Sequence, residues 1–169
     1  MSDAFSRDRL QPALLDRLID ENPGSKVEPV ESRAITKSRL RQSVLRDLAW
    51  LFNAQAGLDA KVDETAFAHA LRSTVNYGMP ALSGQLVSKV EMVDLESAMR
   101  EAIVNFEPRI LPDSLKVTGI RPDDALGHHN LLSFEIVGRL WAQPYPLELM
   151  LHTDIDLETG RVDVRELPR

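Results

Sequence analysis

Apolar residues recur along this chain with two different periods, and the change between them divides it. From Leu40 to Phe52 they fall at three- and four-residue steps. Leu40, Val44, Leu45, Leu48, Leu51 and Phe52 make one stripe, with Arg39, Arg41, Gln42, Arg46 and Asp47 off it. This predicts an amphipathic helix, with Gly57 a plausible end. Leu95, Ala98, Met99, Ala102, Ile103 and Phe106 repeat the pattern. Asp94 is the expected N-cap there, and Pro108 the stop, because a proline pushes its predecessor out of the α region. Residues 63–73 predict a short helix with Phe67, Ala70 and Leu71 facing inward. Near the start, Pro12 suits a first helical turn, and Leu14, Leu15, Leu18 and Ile19 follow at helical spacing until Asn22-Pro23-Gly24.

Beyond Pro108 the period becomes two. Leu115, Val117 and Gly119 open one strand. Leu132, Phe134 and Ile136, continuing through Gly138 and Leu140, alternate with polar residues in a second. Leu147, Leu149 and Leu151 mark a third, and Val162 and Val164 a short fourth. Asp123–Asn130 reads as a polar turn, and Asp156–Gly160 as a hairpin loop in which Gly160 supplies positive φ. Helices first and antiparallel strands after predict an α+β fold, the N-terminal helices packed on a C-terminal antiparallel β-sheet. Residues 1–34 are expected to form an amphipathic helix and linker, because 22–34 mixes Pro, Gly, Ser and charges. Residues 35–169 are expected to form the main domain.

Composition narrows the chemistry. The net charge of −6 argues against a sequence-independent grip on phosphate backbones. The absence of cysteine removes disulfides, thiolate metal sites and thiol nucleophiles together. Met1–Arg9 has no apolar core of a secretory signal, and no apolar run is long enough to cross a bilayer, so a cytoplasmic protein is expected. With no long coiled-coil stripe, it is expected to be a monomer alone.

No phosphate-binding glycine loop, nucleophile elbow or metalloprotease motif is present, and no cofactor is expected. His128 and His129 fall in the expected polar turn and read as solvated. His152 alternates outward beside Asp154. Paired carboxylates can hydrolyse glycosides. Glu107, however, has Arg109 two residues away, a poor setting for a proton-donating acid.

The segment Phe106-Glu107-Pro108-Arg109-Ile110 stands out, because opposite charges bracket the helix-ending proline. It is either a local ion pair at a helix end or a rigid pair offered to a partner, since a planar guanidinium suits bidentate recognition. Leu14, Leu15 and Leu18 would dock either on the domain itself or on a partner. Trp50 lies off the stripe of its helix and Trp141 alternates against Leu140, so each is an interface anchor or part of a second core face. Gly78, in Asn76-Tyr77-Gly78-Met79-Pro80, is expected at positive φ in a turn.

Several of these segments, in order, resemble a known family. They are Leu14-Leu15-Asp16-Arg17-Leu18, Ser43 through Leu51, Ser73 through Pro80, Leu82-Ser83-Gly84, Leu140 through Pro144, and Thr153 through Asp156. Together they are similar to the TssE family of type VI secretion baseplate subunits. Glu107-Pro108-Arg109 resembles the Glu-Pro-Arg motif of the wider phage baseplate wedge family. The resemblance implies a non-enzymatic wedge subunit, recruited with its secretion complex to the inner face of the cell envelope. It implies wedge partners TssF, TssG and TssK, and sheath partners TssB and TssC. Glu107, Pro108 and Arg109 would engage neighbouring wedge proteins, and an edge strand of the sheet would start the sheath. The alternative is a small lysozyme-like peptidoglycan hydrolase, a label once given to the phage relatives.

Overall fold

Thr36 starts the longest helix, its hydroxyl accepting the N–H of Arg39 at 3.2 Å. The computed structural model describes residues 13–19, 23–24, 36–57, 66–81, 92–120 and 131–167. Its helices are α1 (Leu14–Leu18), α2 (Lys37–Asn53), α3 (Ala68–Leu71) and α4 (Met92–Phe106). Its strands are β1 (Lys116–Ile120), β2 (Leu131–Leu140), β3 (Leu147–Asp156) and β4 (Val162–Glu166). They form one sheet in the order β1-β2-β3-β4, every neighbouring pair antiparallel. This is the expected α+β arrangement.

Alternation along the strands separates the sheet's faces. Leu132, Phe134, Ile136 and Leu140 of β2, and Leu149, Leu151 and Ile155 of β3, are buried. They meet Leu40, Val44, Leu48, Leu51 and Phe52 of α2 and Leu95, Met99, Ala102 and Ile103 of α4 in one core. Each such side chain removed from water contributes roughly 1.5–3 kcal/mol. Helix α2 lies along β4 and α4 along β1. The opposite face carries Ser133, His152, Asp154 and Arg165. There Asp154 accepts hydrogen bonds from Ser133 and Arg165 and pairs with His152 Nε2 at 2.9 Å.

Four local expectations change. Helix α2 ends at Asn53, short of Gly57, because Ala54 is extended (φ −86°, ψ 142°). There the chain pairs with a loop: Met79 N–H donates to Ala54 C=O at 2.8 Å, and Ala56 N–H to Met79 C=O at 2.9 Å. Asp94 sits inside the first turn of α4 and does not cap it; its charge there favours the helix dipole. Of the helix expected over 63–73, residues 63–65 lie outside the described residues and the rest is helical only over Ala68–Leu71, with Phe67 outside it and 56% exposed. Three apolar residues over five positions are too few to anchor a face. Helix α1 ends at Leu18, with Ile19 already extended, before Asn22-Pro23-Gly24 is reached.

Gly78 (φ 126°) and Gly160 (φ 72°) both take the left-handed region, as expected. Leu82-Ser83-Gly84, His128, His129 and most of the 22–34 linker lie outside the described residues. No described helix is long and apolar enough to cross a membrane.

Candidate partner-binding site

The Glu-Pro-Arg segment is built by the way α4 ends. Glu107 N–H closes the last helical bond onto Ile103 C=O at 2.8 Å. Pro108 has no N–H to continue the ladder. The chain turns, Ile110 N–H donating to Glu107 C=O at 3.2 Å, and Ile110 enters the core beside Leu140. Two bonds clamp this turn to the end of β2: Trp141 N–H to Arg109 C=O at 2.7 Å, and Leu111 N–H to Arg139 C=O at 2.9 Å.

With its backbone held there, Arg109 folds its side chain back over α2. Its Nε donates to Glu107 Oε1 at 2.7 Å and its Nη2 to Glu107 Oε2 at 2.5 Å, a two-pronged pair. Arg109 N–H adds a third bond to Oε1 at 3.1 Å. Its Nη1 reaches Ser43 Oγ at 3.1 Å, and Nη2 also reaches Asp47 Oδ2 at 2.5 Å. Ser43 and Asp47 lie four residues apart on α2, hence on one side of it. The Glu107 side chain is 3% exposed, against 22% for Arg109 and 24% for Asp47.

The ionic chain continues past Asp47. Arg46 Nε donates to Asp47 Oδ1 at 2.9 Å, and Arg46 Nη1 to Asp16 Oδ1 of α1 at 2.6 Å. Carboxylate and guanidinium alternate from Glu107 through Arg109, Asp47 and Arg46 to Asp16. Burial opposes the charge on Arg109, but hydrogen bonds and attraction from Glu107 and then Asp47 outweigh it, so its pKa rises above the ordinary arginine value. The bond from Asp16 does the same for Arg46 against a smaller burial penalty.

An open depression of about 560 Å³ lies beside this chain, lined among others by Ala13, Trp50, Tyr77, Phe106, Pro108 and Arg109. Tyr77 meets Phe106 edge to face at 5.3 Å. Burial, then the negative charges of Asp47 and Glu107, push the Tyr77 phenol upward. Trp50 is 52% exposed, with the Arg46 guanidinium 5.0 Å from its ring centroid.

The expected site residues thus divide. Glu107 is buried, Arg109 half-buried and Pro108 exposed. Leu14, Leu15 and Leu18 are exposed, and α1 buries none of its residues. The ionic chain joins α1 to the Glu-Pro-Arg turn through Arg46 and Asp47. Sequence reasoning left those two among the polar positions of α2 and gave Ser43 only as the start of a family-like segment; their signal was the Ser43/Asp47 spacing beside Arg46. Among the described residues, no group of three His, Asp or Glu side chains is placed to hold a metal ion. Both Glu107 oxygens are committed to Arg109, an arrangement suited to fixing a turn.

Fold and site together describe an α+β domain whose unusual feature is a Glu-Pro-Arg turn locked to a helix by ion pairs. A family model described as baseplate wedge protein gp25 matches residues 38–145, and the chain belongs to that family, which is also the family of TssE. The match spans α2, the loop carrying Gly78, α4, the Glu-Pro-Arg turn, β1 and β2. No curated protein and no solved structure matches the chain. Membership supports a baseplate role in a contractile injection machine, among other baseplate proteins.

Proposed function

We propose that this protein is the wedge subunit of a type VI secretion baseplate, a non-catalytic part that joins wedge proteins and starts the contractile sheath. The ordered Glu107-Pro108-Arg109 turn within a baseplate wedge domain carries the reading. Its ion pairs hold Pro108 and the adjoining depression in one shape before any partner arrives, which lowers the ordering cost of docking. TssF, TssG and TssK are the wedge partners in this reading. The exposed Trp50 lines the same depression, the exposed leucines of α1 follow Ala13 at its rim in sequence, and both supply apolar anchors. TssB and TssC are the sheath partners, received at an edge of the β-sheet, where unpaired backbone groups can accept a strand. The protein works in the cytoplasm, at the inner face of the envelope.

The test is capture of the tagged protein from its own cells, wild type beside Arg109→Glu and Trp50→Ala, with partners identified by mass spectrometry. Wild type should bring down wedge and sheath proteins. Arg109→Glu places three carboxylates together and should lose the wedge proteins. Trp50→Ala, which opens no buried site, should weaken their capture while leaving the melting temperature unchanged. Wild type arriving without wedge or sheath proteins would sink the reading and move attention to a peptidoglycan hydrolysis assay.

A further inference from the structure

On the side away from the core, α4 carries Val93, Ser97, Arg100 and Val104 in one row, three or four residues apart and all exposed. The end of α3 comes alongside this row. Arg72, the C-cap of α3, joins Ser97, Arg100, Glu101, Val104 and Asn105 around an open depression of about 470 Å³. That volume lies within the range of sites that seat a small group.

The depression holds donors that nothing uses. Neither the Arg72 nor the Arg100 guanidinium has a hydrogen bond or ion pair among the described residues. For Arg100 the reason is visible. A carboxylate four residues earlier is the ordinary helical partner of an arginine. Glu96 holds that position, but it accepts the N–H of Gly119 on β1 at 2.7 Å and so faces the sheet. Glu101 is the one carboxylate in the lining, and it too is unpaired among the described residues. Two guanidiniums against one carboxylate leave the depression positive, on a chain whose net charge is −6. Ser97 and Asn105 add a hydroxyl and an amide, both able to donate.

The last turn of α4 borders this depression and the one beside the Glu-Pro-Arg turn. Val104 and Asn105 line the first, Phe106 the second. The stretch after α3 likewise supplies Arg72 to the first and Tyr77 to the second, and no lining residue is common to both. Their electrostatics differ. In the second, the Arg109 guanidinium is spent on Glu107, Ser43 and Asp47. In the first, both guanidiniums remain to be used.

We propose that the Arg72/Arg100 depression is a second docking seat, and that it takes a protein segment bearing an aspartate or glutamate beside an apolar residue. The incoming carboxylate lies between Arg72 and Arg100, each of which offers it a planar fork of N–H donors. The apolar neighbour covers Val104. A nucleic acid or an anionic membrane would set many negative charges against Glu101 and the chain's own net charge, whereas an acidic side chain brings one. The seat requires no particular identity for the protein that supplies the segment, and so stands apart from the function proposed above.

The test places p-benzoylphenylalanine at Val104 of the full-length protein. The protein is irradiated in its own cells, and the cross-linked peptide is sequenced by mass spectrometry. The peptide should carry an aspartate or glutamate next to the cross-linked position. In Arg72→Glu, Arg100→Glu the cross-link should fall about tenfold or more, because charge-assisted bonds are replaced by repulsion. The melting temperature should not move, since both side chains are exposed and bond nothing. Changing the partner's acid to lysine should restore the cross-link in that double variant. Trp50→Ala, which alters only the other depression, should leave the cross-link intact. A cross-linked peptide without an acidic residue, a cross-link undiminished in the double variant, or one lost in Trp50→Ala would each overturn the proposal. So would the absence of any protein cross-link; loss of co-sedimentation with phosphatidylserine vesicles in the double variant would then assign the two arginines to a membrane. If the double variant melts early, Arg100→Gln, which removes one charge and adds none, takes its place.

Discussion

Replacing Arg109 with methionine tests whether the Glu-Pro-Arg turn is held by its ion pairs. Methionine keeps much of the arginine stem but removes all the guanidinium bonds to Glu107, Ser43 and Asp47. Asp47 keeps Arg46 and stays paired. Glu107 does not: 3% exposed, it would be left as a charge inside the protein with one backbone N–H for company. Stranding one member of a buried pair costs about 3–5 kcal/mol. Arg109 and Asp47 reach solvent on one side, which places this case near the lower end, about 3 kcal/mol. For a chain of this length that is a melting point lowered by about 6–12 °C. Urea unfolding followed by tryptophan fluorescence reads the loss directly, with circular dichroism for the melt. The control is the double variant Glu107→Gln, Arg109→Met, which removes both charges. It should recover to within about 1 kcal/mol of the wild type, because no charge is left unpaired. A single variant as stable as wild type, or a double variant no better than the single, would refute the argument that stranded charge is what the arginine prevents.

Two other sites carry predictions of their own. Gly78→Ala would put a Cβ 2.3 Å from Ala54 C=O at a φ of 126°, so it should destabilise by at least about 2 kcal/mol in urea unfolding. A neutral result would mean the loop shifts freely, against its pairing with Ala54 and Ala56. Tyr77 has a raised pKa in the fold, so the unfolded chain releases its proton first as pH climbs through 10.0. Its stabilising share is complete below that value and is lost as pH rises toward the folded pKa. Tyr77→Phe should flatten the alkaline fall in stability above pH 10.0, and an unchanged slope would count against the assigned cause.

How much of this was legible before folding depends on how local each cause is. The stripes of α2 and α4 and the alternation of β2 and β3 are repeated patterns, and each found its face in the core. Gly78 and Gly160 announced their conformations because no other residue takes them freely. The end of α2 was not legible, since Ala54 leaves the helix to pair with Met79, a contact across more than twenty residues of sequence. Phe67 misled for a related reason: an apolar residue in a short polar stretch carries no second turn to say which way it faces. Glu107 and Arg109 were conspicuous as a bracket around Pro108, yet nothing local told that Arg109 would also turn toward Ser43 and Asp47. The hydrogen bonds that Asn53 and Arg41 of α2 make to Val162 and Glu166 of β4 were invisible, because an asparagine at a helix end names no strand.

The N-terminal helix shows how the ionic chain bears on assembly. Five residues cannot hold a helix in water on their own. Helix α1 buries no residue against the domain, and among the described residues its one side-chain tie is Asp16 to Arg46. Arg46 in turn shares Asp47 with Arg109. The guanidinium that steadies the Glu-Pro-Arg turn and the one that steadies α1 thus draw on the same carboxylate. A partner that engaged Arg109 would leave Asp47 to Arg46 alone, and that less compensated carboxylate would compete with Asp16 for the guanidinium and loosen the hold on α1. A partner that took up Leu14, Leu15 and Leu18 would instead add the apolar burial that α1 lacks. Ala13, just before α1, lines the same depression as Pro108 and Arg109, so a wedge protein seated there and drawing on Arg109 would keep α1 in place only by burying its leucines as well.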